Sequence, residues 1–195
     1  MSVDEPGVLR RYLATLNEVG LVVWSRKEQT VRVGRAGIPT DAVPRIRVVQ
    51  PDRPYTNVMH LRQLIRGCRE FIWWAEVHLN HKALEPLAVE AEPGKVSEIR
   101  LLSGPAAVDQ TTLRDWRRFK QEMEERGITS EWRVLPRHDI PFHDRYLIGR
   151  NEAWNVPPVN SLYKGSYAEA TRCEERPPFE DWWARADPLE QRTAA

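Results

Sequence analysis

The feature that most constrains this chain is the alternation of helix-period and strand-length apolar segments that begins at Tyr55. Val58, Leu61, Leu64 and Ile65 recur at helical spacing within residues 57–69. Phe71-Ile72-Trp73-Trp74-Ala75 follows as an apolar run of strand length. The order then predicts a helix over 80–91, a strand over 98–102, a third helix over 110–126 closed by Gly127, and strands over 130–135 and 143–148. A further strand is expected over 164–168. Repeated β-α-β order predicts an α/β fold: a mainly parallel mixed sheet flanked by helices, with ligands outside the strand ends.

Upstream, Asp4, Glu5 and Pro6 suit a helix start, Val8, Leu9, Tyr12, Leu13 and Leu16 keep its period, and Gly20 suits its stop. Leu21-Val22-Val23-Trp24 and Thr30-Val31-Arg32-Val33 read as a hairpin. This block, residues 1–36, resembles the second half of a winged helix, and is expected to be a helix and hairpin packed on the main domain. Residues 37–54, punctuated by Pro39, Pro44, Pro51 and Pro54, read as a linker holding a short edge strand at Ile46-Arg47-Val48-Val49. The main domain is expected over 55–175. The tail, 176–195, is expected to dock through Phe179, Trp182 and Trp183 and to fray at its end.

Composition narrows the function classes. With 195 residues, 41% hydrophobic and 29% charged, the chain has material for a sizeable core. A net charge of +1 gives no global attraction to nucleic acid or anionic lipid, so a phosphate site has to be local. Cys68 and Cys173 are far apart and form no CxxC pair, so reduced thiols are expected. No apolar run reaches the roughly 20 residues of a membrane span, and the first residues lack the pattern of a secretory signal. The expected location is cytoplasmic.

His143-Asp144-Arg145-Tyr146-Leu147-Ile148 is the most informative stretch. On a strand, His143 and Arg145 share a face while Asp144, Tyr146 and Ile148 take the other. An imidazole attacks phosphorus or moves a proton, and a guanidinium grips two phosphate oxygens. Lys164-Gly165-Ser166 follows, with a glycine for close backbone approach and a hydroxyl for an oxyanion.

From about residue 57 to about residue 170, these motifs and this element order resemble the phospholipase D superfamily. His143 falls on the family's nucleophile or proton donor, Arg145 where the family has lysine, and Gly165-Ser166 on its Gly-Ser pair after a longer gap. Arg150 stands at the motif aspartate, with Glu152 two residues on. The resemblance implies a metal-independent phosphodiesterase, without cofactor, whose single motif is completed by a homodimer. One His143 would form a phosphohistidine and the partner's His143 would protonate the leaving oxygen. Arg145 and Ser166 would hold the equatorial oxygens, beside Lys164 and Gly165. Glu76, at the end of the 71–75 strand, would orient a histidine. The same resemblance covers a binding module that holds a phosphorylated ligand or nucleic acid without cleaving it. A third reading is a winged-helix-type regulator with a ligand-sensing domain.

Three other groups invite a role. Glu76, His78, His81 and Glu85 offer metal-ligand types, with a solvated surface the stronger expectation. Arg114, Arg117, Arg118 and Lys120, interleaved with Trp116 and Phe119, form a basic stretch expected as a solvated face of the third helix. Among eight tryptophans, Trp154, placed in a loop after the histidine strand, is the candidate for stacking on a base or ring.

Overall fold

The structure is a computed structural model that describes residues 22–25, 30–33, 46–49, 53–164 and 168–193. The chain forms two compact units, Met1–Pro44 and Arg45–Ala195. In the first, β1 (Val22–Ser25) and β2 (Thr30–Val33) pair antiparallel with Val22 opposite Val33 and Ser25 opposite Thr30, the hairpin expected there. The helix expected over 4–20 lies outside the described residues.

The second unit is an eight-stranded mixed sheet. Its strands are β3 (Ile46–Val49), β4 (Glu70–Ala75), β5 (Val96–Ser103), β6 (Thr129–Val134), β7 (Tyr146–Ile148), β8 (Ala153–Asn155), β9 (Ala168–Arg172) and β10 (Asp187–Pro188). They lie in the order β10-β6-β5-β4-β7-β8-β9-β3. The helices are α1 (Pro54–Gly67), α2 (Leu84–Glu90), α3 (Gln110–Glu125), α4 (Val159–Lys164) and α5 (Phe179–Ala184).

The sheet is less parallel than the sequence order predicts. β4, β5 and β6 run parallel, joined by crossovers that carry α2 and α3. Every other pairing is antiparallel, from β4 through β7, β8 and β9 to β3, and at β10. A tight connection such as 149–152 between β7 and β8 can only return the chain antiparallel, because a parallel partner needs a crossover of about a dozen residues. The edge strand expected at Ile46–Val49 is present as β3, paired with β9. The strand expected over 164–168 starts only at Ala168, and Lys164 instead closes α4.

Period-2 alternation sorts the strand residues into two layers. Ile72, Trp74, Ile99, Leu101, Trp132, Leu147 and Trp154 face one layer and pack with Leu61, Leu64 and Ile65 of α1, Leu87 of α2 and Trp116, Phe119 and Met123 of α3. Asp109 starts α3 as its N-cap, accepting the Thr112 N–H at 2.7 Å. On the opposite face, Ala75, Leu102, Ile148 and Ala153 pack against Phe179, Trp182 and Trp183.

The C-terminal segment is therefore part of the second core layer rather than an appendage. Phe71 stacks on Trp73 at 4.2 Å, Trp73 on Phe179 at 5.0 Å, and Phe179 on Trp183 at 5.6 Å. Arg100 lies over Trp73 and Trp183, and Arg133 over Trp183 at 4.6 Å. Glu98, Glu131 and Glu180 neutralise these arginines, so the ladder fastens α5 to the sheet. Trp183→Ala is expected to destabilise the fold by about 3–5 kcal/mol, read as a lower midpoint in urea unfolding; an unchanged midpoint would mean that α5 does not hold the sheet.

Candidate functional site

The parallel strands β4, β5 and β6 end at Ala75, Ser103 and Val134, and β7 enters the sheet from that end, with Tyr146 opposite Ala75. Antiparallel register brings the next residue of β4's path, Glu76, beside the residue preceding β7, Arg145. Backbone bonds fix both. Glu76 N–H donates to Leu102 O at 3.0 Å and Leu79 N–H donates to Glu76 O at 3.0 Å. Arg145 N–H donates to Asn155 Oδ1 at 3.4 Å, and Arg145 O accepts from Val156 N–H at 2.8 Å.

Glu76 is a buried acid, 1% exposed, among Ala75, Leu79 and other apolar neighbours. Burial raises its pKa from the usual 4.5 to about 7, against the opposing pull of the Arg145 guanidinium and of the Val159 N–H that bonds it. Its Oε2 has no hydrogen-bond partner among the described residues. The result is a carboxyl that takes or gives a proton near neutrality, set against a half-buried cation at the carboxyl edge of a sheet. Lys82 Nζ donates to Asn160 Oδ1 at 3.1 Å and ties α4 to the turn that follows this edge.

The histidine is placed differently from expectation. β7 begins at Tyr146, so His143 and Asp144 lie in a bend before it and strand alternation does not pair His143 with Arg145. Phe142 anchors the bend, buried and 4.6 Å from the Trp182 ring. His143 itself is exposed, and among the described residues it has no hydrogen-bond or ion-pair partner. Asp144 accepts from Tyr146 OH at 3.1 Å on the α5 side of the sheet. Burial and Asp144 push the Tyr146 phenol up to about 12. The charged neighbour of Glu76 is Arg145 rather than a histidine.

Arg150 sits at the far end of β7, 3.4 Å from Glu70, so neither it nor Glu152 reaches the Glu76 edge. Gly165 and Ser166 lie outside the described residues, as does the side chain of Lys164. Trp154 is no ligand platform: it lies in β8, 0% exposed, within the α1–α4 core. Its place became a strand because Gly149 and Asn151 turn the chain into a hairpin, with Leu147 opposite Trp154. That signal also places Asn155, the side chain that braces Arg145, which the sequence reading missed.

The other groups resolve as surface or core. Among the described residues, no cluster of three His, Cys, Asp or Glu side chains is arranged to hold a metal. Glu85 pairs with Arg62. Trp116 and Phe119 are buried, while Arg114 and Arg118 pair with Asp115 and Lys120 with Glu190. The Cys68 thiol is buried and pushed up to about 12 by that burial, with Cys173 half-buried; both are free. Among the described residues, no helix is long and apolar enough to cross a membrane.

No protein-family model matches the chain, and no curated protein matches it. Among solved structures it is similar to that of TrmBL2, an archaeal chromatin protein that shows a novel mode of DNA binding. The identity is 12% and the TM-score 0.49, over 92% of this chain and 81% of that one.

The raised pKa of Glu76 has a definite sign for stability. Between pH about 4.5 and about 7 the unfolded chain has released this proton and the fold retains it. Its contribution is therefore complete below about 4.5, falls as pH rises to about 7, and is constant above. Glu76→Gln is expected to remove that component, so that wild type loses melting temperature relative to the variant across this window. A constant difference between the two proteins across the window would mean that Glu76 titrates normally.

Proposed function

We propose that this chain is a phospholipase D-like module that holds a phosphodiester of a phosphorylated ligand or nucleic acid at Arg145, without turnover. The observation that carries this reading is the buried Glu76 carboxyl, titrating about pH 7, beside Arg145 at the carboxyl edge of the sheet. The half-buried guanidinium presents donors to a phosphoryl oxygen, and the buried acid beside it, while protonated, leaves that positive charge unopposed. Once Glu76 ionises, it competes with the ligand for the same cation. Affinity is therefore tied to pH by a group in the site.

The reading without turnover is supported by the placement of the histidine. A general base or nucleophile needs a neighbour that fixes its ring, and His143 has none among the described residues. Arginine in place of the family's lysine keeps the charge and offers a planar fork that grips two oxygens at once, which suits holding more than proton traffic. A homodimeric phosphodiesterase is the second reading. It is favoured by the exposure of His143, which leaves the imidazole open to the partner's His143 across a two-fold axis.

Bis-p-nitrophenyl phosphate, a diester of constant charge, separates the two readings when titrated in the presence of a chelator. It is expected to bind wild type more tightly at about pH 6 than at about pH 8, because Glu76 ionises between them. Arg145→Ala is expected to weaken binding about tenfold or more, and Glu76→Gln to flatten the pH dependence. Release of nitrophenol that is lost in His143→Ala would replace this reading with the enzyme. Binding that is indifferent to Arg145→Ala would end both.

A further inference from the structure

A polar cavity lies at the opposite end of β7 from Glu76. It has a volume of about 360 Å³ and is lined by Arg150, Asn151, Glu152, Arg172, Glu174 and Arg176, with Ala153 and Cys173 at its wall. Arg145 and Arg150 are five residues apart on a nearly extended path, roughly 15 Å by strand rise, so the two places do not share a ligand atom.

We infer that this cavity is a separate phosphate-binding site, taking an anionic phosphoryl group. Two of its three guanidiniums lack a counter-charge: among the described residues, neither Arg172 nor Arg176 lies within 4.0 Å of a carboxylate. Arg150 has, among the described residues, the exposed Glu70 as its ion-pair partner, at 3.4 Å. Arg176 is held in place before any ligand arrives. Its Nη2 donates to Gly149 O at 2.9 Å and its Nη1 to Arg150 O at 3.1 Å. Its plane lies over Phe71 at 5.2 Å and Trp73 at 5.7 Å. Arg172 Nη2 reaches Asn151 O only at 3.5 Å.

Each guanidinium carries five N–H donors. The bonds named above use two on Arg176 and one on Arg172, which leaves several for an incoming oxygen. Of the two lining carboxylates, Glu152 is turned toward Gly67, where an added Cβ would stand 2.6 Å from its Oε1. Glu174 is exposed and opposes an anion from the rim. With Glu70 answering Arg150 and Glu152 turned to Gly67, Arg172 and Arg176 face Glu174 as the remaining lining acid, an excess of one positive charge that favours an anion. Fixed guanidiniums lose little freedom on binding it.

This inference stands apart from the reading at Glu76 and Arg145, and its test keeps them apart. Inorganic pyrophosphate is titrated into the full chain at constant ionic strength and followed by the amide resonances of Gly149, Asn151, Ala153 and Cys173. These resonances are expected to shift and saturate. Arg172→Ala is expected to raise the dissociation constant about tenfold or more, Glu174→Gln to lower it, and Arg145→Ala to leave it unchanged. A short single-stranded oligodeoxynucleotide is the second arm. Matching shifts that are lost in Arg172→Ala assign the phosphate to a nucleic-acid backbone, and a response to pyrophosphate alone assigns it to a free phosphorylated compound. Resonances that do not move with either probe, or an affinity that Arg172→Ala leaves intact, would overturn the inference.

Discussion

The pairing of β4 with β7 is the constraint on which this structure depends. Trp74 opposite Leu147 and Ala75 opposite Tyr146 join the parallel half of the sheet to its antiparallel half. The same two pairs put large apolar side chains into both core layers and deliver Arg145 to the end of β4. A one-residue slip would exchange the faces of Tyr146, Leu147 and Ile148. It would also separate Glu76 from the guanidinium. Packing and site are therefore settled by one register.

Burial is what makes the carboxyl useful. At the surface, Glu76 would be ionised at neutral pH and would simply neutralise Arg145. Beneath α4 and beside Leu79, the charged form is penalised, and neither the guanidinium nor the Val159 N–H fully compensates. The protein thus holds a cation next to an acid whose charge depends on surroundings. The arginines of the second face behave differently: Arg100 and Arg133 are paired with glutamates and stacked on tryptophans, so they fasten α5 and offer little to a ligand.

Much of the fold is legible in the sequence. The α1, α2 and α3 segments and the β4, β5 and β6 strands follow from periodicity, because their apolar residues meet one continuous core. The antiparallel half was harder to read. β7 and β8 have three residues each, too few for alternation to distinguish strand from loop, and Trp154 looked like a loop residue until the Gly149–Asn151 turn was closed. The site was half legible. Arg145 and Glu76 were marked by residue type and by position at a strand end, whereas their contact depends on an antiparallel register that no local pattern announces. His143 was misplaced for a related reason: the strand starts three residues later than its apolar pattern implies, and the bend is set by Phe142 docking on Trp182.

The most direct measurement is the titration of the Glu76 side-chain carboxyl itself, by carbon-detected NMR in wild type and in Arg145→Ala. The account predicts a midpoint of about 7 in wild type and a higher one in the variant, because the guanidinium is what holds it down. A wild-type midpoint in the ordinary carboxylate range, about 4.3, or one that Arg145→Ala leaves in place, would contradict it.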